Sequence, residues 1–160
     1  MGVLILMHIQ REKILYALQK AYGDLSNPDF HFVMESYNSL KYKCLLNDIH
    51  ALFKVEDNTD LNYDVCISLK FNYHNKSMYL YLSLVSAYAF LFYENKVIDC
   101  NDDIYQILPE LIDILHDYHF VLLNKNELLY TFDINSSAFG FEDKKASVLA
   151  LLFSFGLSVN

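Results

Sequence analysis

Asp113, His116, Asp117 and His119 form the densest grouping of metal-type side chains in this 160-residue chain. Asp113 and His116 lie three residues apart and would share a helix face, whereas His119 falls where that helix should end. The set is neither H-E-x-x-H nor the sulfur-rich set of structural zinc, so no metal ligand is assigned; these groups read as capping or solvating a helix C-terminus. Cys44, Cys66 and Cys100 are isolated and odd in number, without C-x-x-C, which fits neither a disulfide framework nor a zinc site. A nucleophilic thiolate would need an electropositive setting that this acidic chain does not offer. Asp99, Asp102 and Asp103, and separately Asp57, Asp60 and Asp64, are the carboxylate groups available for acid and base work. Clustering alone supplies neither desolvation nor a substrate. Gly2, Gly23, Gly140 and Gly156 are scattered singly, so no phosphate-cradling loop exists, and G-x-S-x-G is absent. No catalytic residue, cofactor or metal is assigned.

What remains is charge. Residues 45–143 hold sixteen Asp or Glu against five Lys, a net of 5 − 16 = −11 in a chain whose total is −8. The same stretch holds nine of the thirteen tyrosines, which describes a surface suited to attracting and gripping a basic protein. Direct nucleic-acid binding is disfavoured, because phosphate contacts require cations that this region lacks. The expected partner-binding residues are Asp57, Asp60, Asp64, Asp99, Asp102, Asp103, Glu110, Asp113 and Asp117.

The elements that must position these groups follow from periodicity. Ile14, Leu15, Leu18, Ala21 and Tyr22 recur at helical spacing within residues 9–22, predicting an amphipathic helix that ends near Gly23. Residues 29–43 show no decisive period and read as loop with short structure. Ile49, Ala51, Phe53 and Val55 alternate, predicting a strand; Val65, Ile67, Leu69, Phe71 and Tyr73 alternate more cleanly still. His74-Asn75-Lys76 turns the chain into Met78, Leu80, Leu82 and Leu84, and then into residues 88–93, so an antiparallel meander is expected. Between Asp102 and Tyr118, Ile104, Ile107, Leu108, Leu111 and Leu115 form an apolar helical face. Asp103, Gln106, Glu110, Asp113 and Asp117 form a polar stripe on another. Pro109 inside such a helix would remove a hydrogen bond and cost ~3 kcal/mol, predicting a kink or two short helices meeting there. Asn124-Lys125-Asn126-Glu127 has the composition of a hairpin loop between residues 120–123 and 128–132. Residues 144–155 are rich in Ala and Leu and predict a buried terminal helix, with Asp143 as N-cap and Gly156 as its stop. The order is helix, strands, helix, hairpin, helix: a single α+β domain over residues 1–160.

With 54% hydrophobic residues the chain has ample apolar surface to offset the conformational entropy of folding. The uncharged stretch of residues 77–93 is at the low edge of spanning length, but Ser83, Ser86 and three tyrosines interrupt it; buried strands explain it better than a membrane span. Residues 1–7 lack the basic flank and length of a signal segment, and Leu6 breaks the myristoylation pattern. Together with the unpaired cysteines, this points to the cytoplasm.

In its layout, and in the stretch Tyr130-Thr131-Phe132-Asp133-Ile134 followed by Ala146-Ser147-Val148-Leu149-Ala150-Leu151-Leu152-Phe153, the chain resembles small bacterial immunity proteins, including those of contact-dependent growth inhibition systems. The resemblance implies a cytoplasmic, non-catalytic protein that binds a cognate toxin domain, often a basic nuclease, and covers its active site or substrate groove; it assigns no residue. An acidic secretion chaperone that holds an effector segment has a similar element order and is the alternative, although the strand region before Asp102 exceeds what that pattern needs. An enzyme with a nonlocal site is the third reading.

Overall fold

The first helix, α1 (Gly2–Tyr22), stops where Gly23 adopts φ +74° and its amide donates to the Gln19 carbonyl at 2.9 Å. A left-handed residue closes a helix in this way, and glycine carries no Cβ to oppose it. The computed structural model describes residues 2–99, 102 and 108–159. The helix begins at Gly2, well before Ile9, and its first turns present Leu4, Ile5 and Leu6 to solvent.

The segment expected to be mostly loop folds into α2 (Phe32–Tyr37) and α3 (Leu40–Leu52). Ser39 caps α3, its hydroxyl accepting from the Tyr42 amide, and Tyr42, Leu45 and Ile49 are its buried stripe. The strand expected over residues 49–55 is therefore mostly helix, and only β1 (Val55–Asp57) is extended. The meander is confirmed. β2 (Cys66–Tyr73), β3 (Lys76–Ser83), β4 (Tyr88–Tyr93) and β5 (Lys96–Val97) pair antiparallel in chain order, with β1 at the outer edge of β2. Two-residue turns join β2 to β3 and β4 to β5. His74 and Asn75 in the first, and Glu94 and Asn95 in the second, all have positive φ, the backbone that matches a hairpin's twist. The uncharged stretch of residues 77–93 is thus two strands and their connection.

Helix α4 (Pro109–Asp117) starts at the proline, which occupies the first helical position, where a missing N–H leaves nothing unsatisfied. The expected kink, or junction of two short helices, falls on residues 103–107, outside the described residues. The residues Asp103, Ile104, Gln106 and Ile107 of the expected longer helix lie outside the described residues. After α4, β6 (Val121–Leu122) adds to β4 in parallel, on the same edge that β5 occupies further along. Asn124 is no hairpin loop. Its side chain accepts from the Glu127 amide at 2.9 Å while Glu127 accepts from the Asn124 amide at 3.0 Å, a reciprocal cap that opens α5 (Lys125–Leu129).

The second β pair is instead β7 (Thr131–Asn135) with β8 (Lys145–Ser147), separated by a 3-10 turn over Ser136–Phe139. Lys145–Ser147 is consequently strand, and the terminal helix shrinks to α6 (Val148–Leu152), capped by Ser147 and not by Asp143. The architecture is α+β, with helices at both ends of the element order around a mostly antiparallel sheet.

Strand alternation divides the core between the sheet's two faces. Ile67, Leu69, Leu80, Leu82 and Leu91 pack against Leu45 and Ile49 of α3 and Leu111 and Leu115 of α4. Cys66, Tyr88 and Phe90 pack on the other side with Ile14 and Leu18 of α1 and with Leu149, Leu152 and Phe153. Each of the fully buried aliphatic side chains contributes ~1.5–3 kcal/mol. Ser83, fully buried, ties the layers together: its carbonyl accepts from the Tyr42 hydroxyl of α3, and its own hydroxyl donates to the Leu152 carbonyl of α6 at 2.6 Å.

Candidate functional site

Of the nine carboxylates singled out from sequence, the eight described ones separate into four places. Asp57, the last residue of β1, and Asp60 in the exposed connection that follows serve that connection's backbone: Asp57 accepts from the Thr59 amide at 3.0 Å and Asp60 from the Asn62 amide at 3.1 Å. These are local turn-forming bonds of the kind short acidic side chains make. Beyond β5, Asp102 accepts from the Asp99 amide at 2.6 Å and from the Lys96 ammonium at 2.6 Å. Those bonds, Lys96 foremost, hold its carboxyl below the ordinary range. Asp103 lies outside the described residues.

Glu110, Asp113 and Asp117 behave differently. They follow at +3 and +4 along α4, are all exposed, and lie opposite the buried Leu111, Ile112 and Leu115. No ion pair among the described residues engages them. Asp48 of α3 extends the acidic surface, because the Tyr118 hydroxyl at the end of α4 donates to it at 2.5 Å. That bond to a carboxylate, with a smaller contribution from burial, pushes the phenol up to about 12. Asp48 escaped the sequence reading because the helix bearing it was read as loop and strand. Past Tyr118, His119 takes φ +62°, while its amide donates to the His116 carbonyl and the Phe120 amide reaches the Leu115 carbonyl at 2.8 Å. His119 is thus the left-handed residue of the helix stop. Among the described residues no three His, Cys, Asp or Glu side chains gather in a metal-binding arrangement.

Asp64 stands apart from the other acids. It is half-buried at the mouth of a cavity of about 320 Å³ on the α1 and α6 side of the sheet. The Asp64 amide donates to the Asp60 carbonyl at 2.9 Å and the Val65 amide to the Phe153 carbonyl at 2.9 Å, so the loop is tied to the C-terminal segment. Burial pushes the Asp64 carboxyl up, the nearby Asp60 adds to this, and a hydrogen bond with Ser154 opposes it. The walls are aromatic. Tyr22 meets Phe30 and Phe139 edge-on, with centroids at 5.5 and 5.1 Å, and Phe141 lies flat on Phe155 at 4.3 Å and 3°. Tyr22 is anchored by its hydroxyl bond to the Leu151 carbonyl at 2.7 Å. Beneath, burial and Asp64 push the Cys66 thiol up to about 12, which makes it an inert core sulfur.

These aromatic walls were missed from sequence, yet they carry a signal. Phe30-His31-Phe32, Phe139-Gly140-Phe141 and Phe153-Ser154-Phe155 repeat one spacing, and all three converge around Tyr22, directly or through Phe139. Tyr79 and Tyr81, whose orientation alternation left open, are half-buried on the α1 side. There Tyr81 stacks on Phe90 at 4.7 Å. No helix among the described residues is long and apolar enough to cross a membrane. No family model, curated protein or solved structure matches this chain.

Proposed function

We propose that this protein is a non-catalytic immunity protein that binds and neutralises a basic toxin domain, nucleases being the class whose phosphate-binding groove an acidic surface would occupy. The observation that carries the reading is the row Glu110, Asp113 and Asp117 on α4. These carboxylates face solvent and no ion pair among the described residues engages them, and Asp48 stands beside them. Two of the three gain nothing from local structure. Glu110 in the first turn suits the positive end of the helix dipole, but Asp113 is mid-helix and Asp117 meets the negative end. Their use is outward. A surface of one sign accelerates encounter with its opposite and rejects like-charged competitors. The cytoplasm, where such a toxin would act, belongs to the same proposal.

The test is co-purification with the product of the adjacent gene, followed by association kinetics. A one-to-one complex with a toxic basic domain is expected. Glu110→Gln, Asp113→Asn and Asp117→Asn together should slow association on the order of tenfold at low salt and flatten its salt dependence, leaving the fold intact. Absence of a complex, or association untouched by the triple substitution, would reject this assignment.

A further inference from the structure

The cavity beside Asp64 is separate from the acidic face of α4, and its chemistry asks for a different kind of contact. We infer that it is a receptor for one arginine side chain presented by a polypeptide partner. The inference goes beyond the proposed toxin neutralisation and stands on its own geometry.

The cavity's volume, about 320 Å³, lies in the range of small ligand sites. Its lining contains no Lys, Arg or His, and Asp64 is its sole ionisable carboxylate. A half-buried carboxylate with only a hydroxyl partner keeps acceptor capacity for a charged donor, and burial and Asp60, which push its carboxyl up, make a cation beside it favourable. The walls select which cation. The flat pair of Phe141 and Phe155, with Phe139 tilted beside it at 5.6 Å from Phe155, supplies aromatic wall. A guanidinium stacks on such faces, is weakly hydrated and forks bidentately onto a carboxylate, whereas an ammonium is a compact, strongly hydrated point charge. An arginine's three methylenes would cover apolar wall on the way in. The chain already uses this mode elsewhere, Arg11 lying 3.8 Å over the Tyr130 ring. Phe30, Phe141 and Tyr63 remain 45%, 47% and 79% exposed, so the opening is rimmed by rings without a cover.

Titration of the full-length protein with Nα-acetyl-arginine amide, followed by NMR, tests the inference without any toxin, so its failure and that of the immunity reading are distinguishable. Saturable shifts are expected at Asp64, Phe141 and Ser154, with a Kd on the order of 1–10 mM for so small a probe. The citrulline analogue has the same shape without the charge and should bind roughly tenfold more weakly, as should arginine amide to Asp64→Asn. Phe141→Leu, at the exposed rim, should weaken binding several-fold while leaving the spectrum folded. Equal binding of the citrulline analogue, shifts confined to α4, or no saturation by about 100 mM would overturn the assignment. Tighter binding of free arginine than of the blocked amide would overturn the polypeptide source.

Discussion

Replacing Ser83 with Ala removes one oxygen, and the structure sets what that oxygen is worth. Its hydroxyl donates to the Leu152 carbonyl at 2.6 Å and accepts from the Val85 amide at 3.1 Å. Leu152 is the last residue of α6, so its carbonyl has no partner within its own helix. In Ser83→Ala both backbone groups lose their partner. A buried polar group left unsatisfied costs ~1–3 kcal/mol, and Val85, being half-buried, falls at the low end because water reaches it. Together the loss should be about 2–4 kcal/mol, with little cavity contribution from so small an atom. For a chain of this size that lowers Tm by roughly 4–16 °C. Urea unfolding followed by tyrosine fluorescence and far-ultraviolet dichroism should show a lower midpoint with an unchanged slope, since the exposed surface on unfolding is the same. Tyr42→Phe supplies the comparison. It removes the donor to the Ser83 carbonyl but strands no group at α6, so about 1 kcal/mol is expected. A Ser83→Ala loss below about 0.5 kcal/mol would refute the reasoning, because that is the scale of an ordinary surface substitution.

Two further outcomes follow from the same reading of local chemistry. Asn124→Ala should cost ~1 kcal/mol in urea unfolding by breaking the reciprocal cap of α5, and Asn124→Gly should cost less; equal indifference to both would restore a loop at this position. Asp64 carries a raised carboxyl, so its ionised form is less favourable folded than unfolded. The contribution of Asp64 to stability should therefore fall as pH rises from the ordinary carboxylate range through the raised folded value, so the stability of Asp64→Asn relative to wild type should rise between pH 4 and pH 7, as thermal melts at the two pH values would show. A wild-type and Asp64→Asn pair with identical pH profiles would count against the burial of this group.

Where local pattern and packing agree, the sequence was legible. Residues 65–73 alternate, and β2 is buried on both faces at one end and on alternate positions at the other. His74-Asn75 turns the chain as its composition predicts. Residues 40–55 were not legible, because two periods coexist there. Ile49, Ala51, Phe53 and Val55 satisfy a strand, while Tyr42, Leu45 and Ile49 satisfy a helix. Ser39 as N-cap and the packing of Leu45 and Ile49 under the sheet decide for the helix as far as Leu52. Asn124 failed for a different reason: its residue type suits both a turn and a helix cap, and position relative to the helix start selects between them. Residues 144–155 have helical composition, but Thr131 pairs with Ser147 and Asn135 with Lys145, so a partner distant in sequence takes the first turn for a strand. The cavity at Asp64 was invisible for the same reason, being assembled from segments whose shared spacing says nothing of their convergence.

The acidity of residues 45–143 is thereby divided into charge spent on the fold and charge left for a partner. Asp57 and Asp60 hold a turn, Asp102 holds another together with Lys96, and Glu127 completes a cap. Among those left, Glu110, Asp113 and Asp117 are spaced ~4.5 and ~6 Å along one helix, each step within a Debye length of ~8 Å, so an approaching cation meets their summed field. Asp64 lines a cavity to which α4 contributes no residue, so the two acidic features offer separate contacts. Neutralising α4 should therefore leave arginine binding at the cavity unchanged, while Asp64→Asn should leave the salt dependence of toxin association unchanged. Cross-talk between the two would mean that one continuous acidic surface, and not two sites of different chemistry, faces the partner.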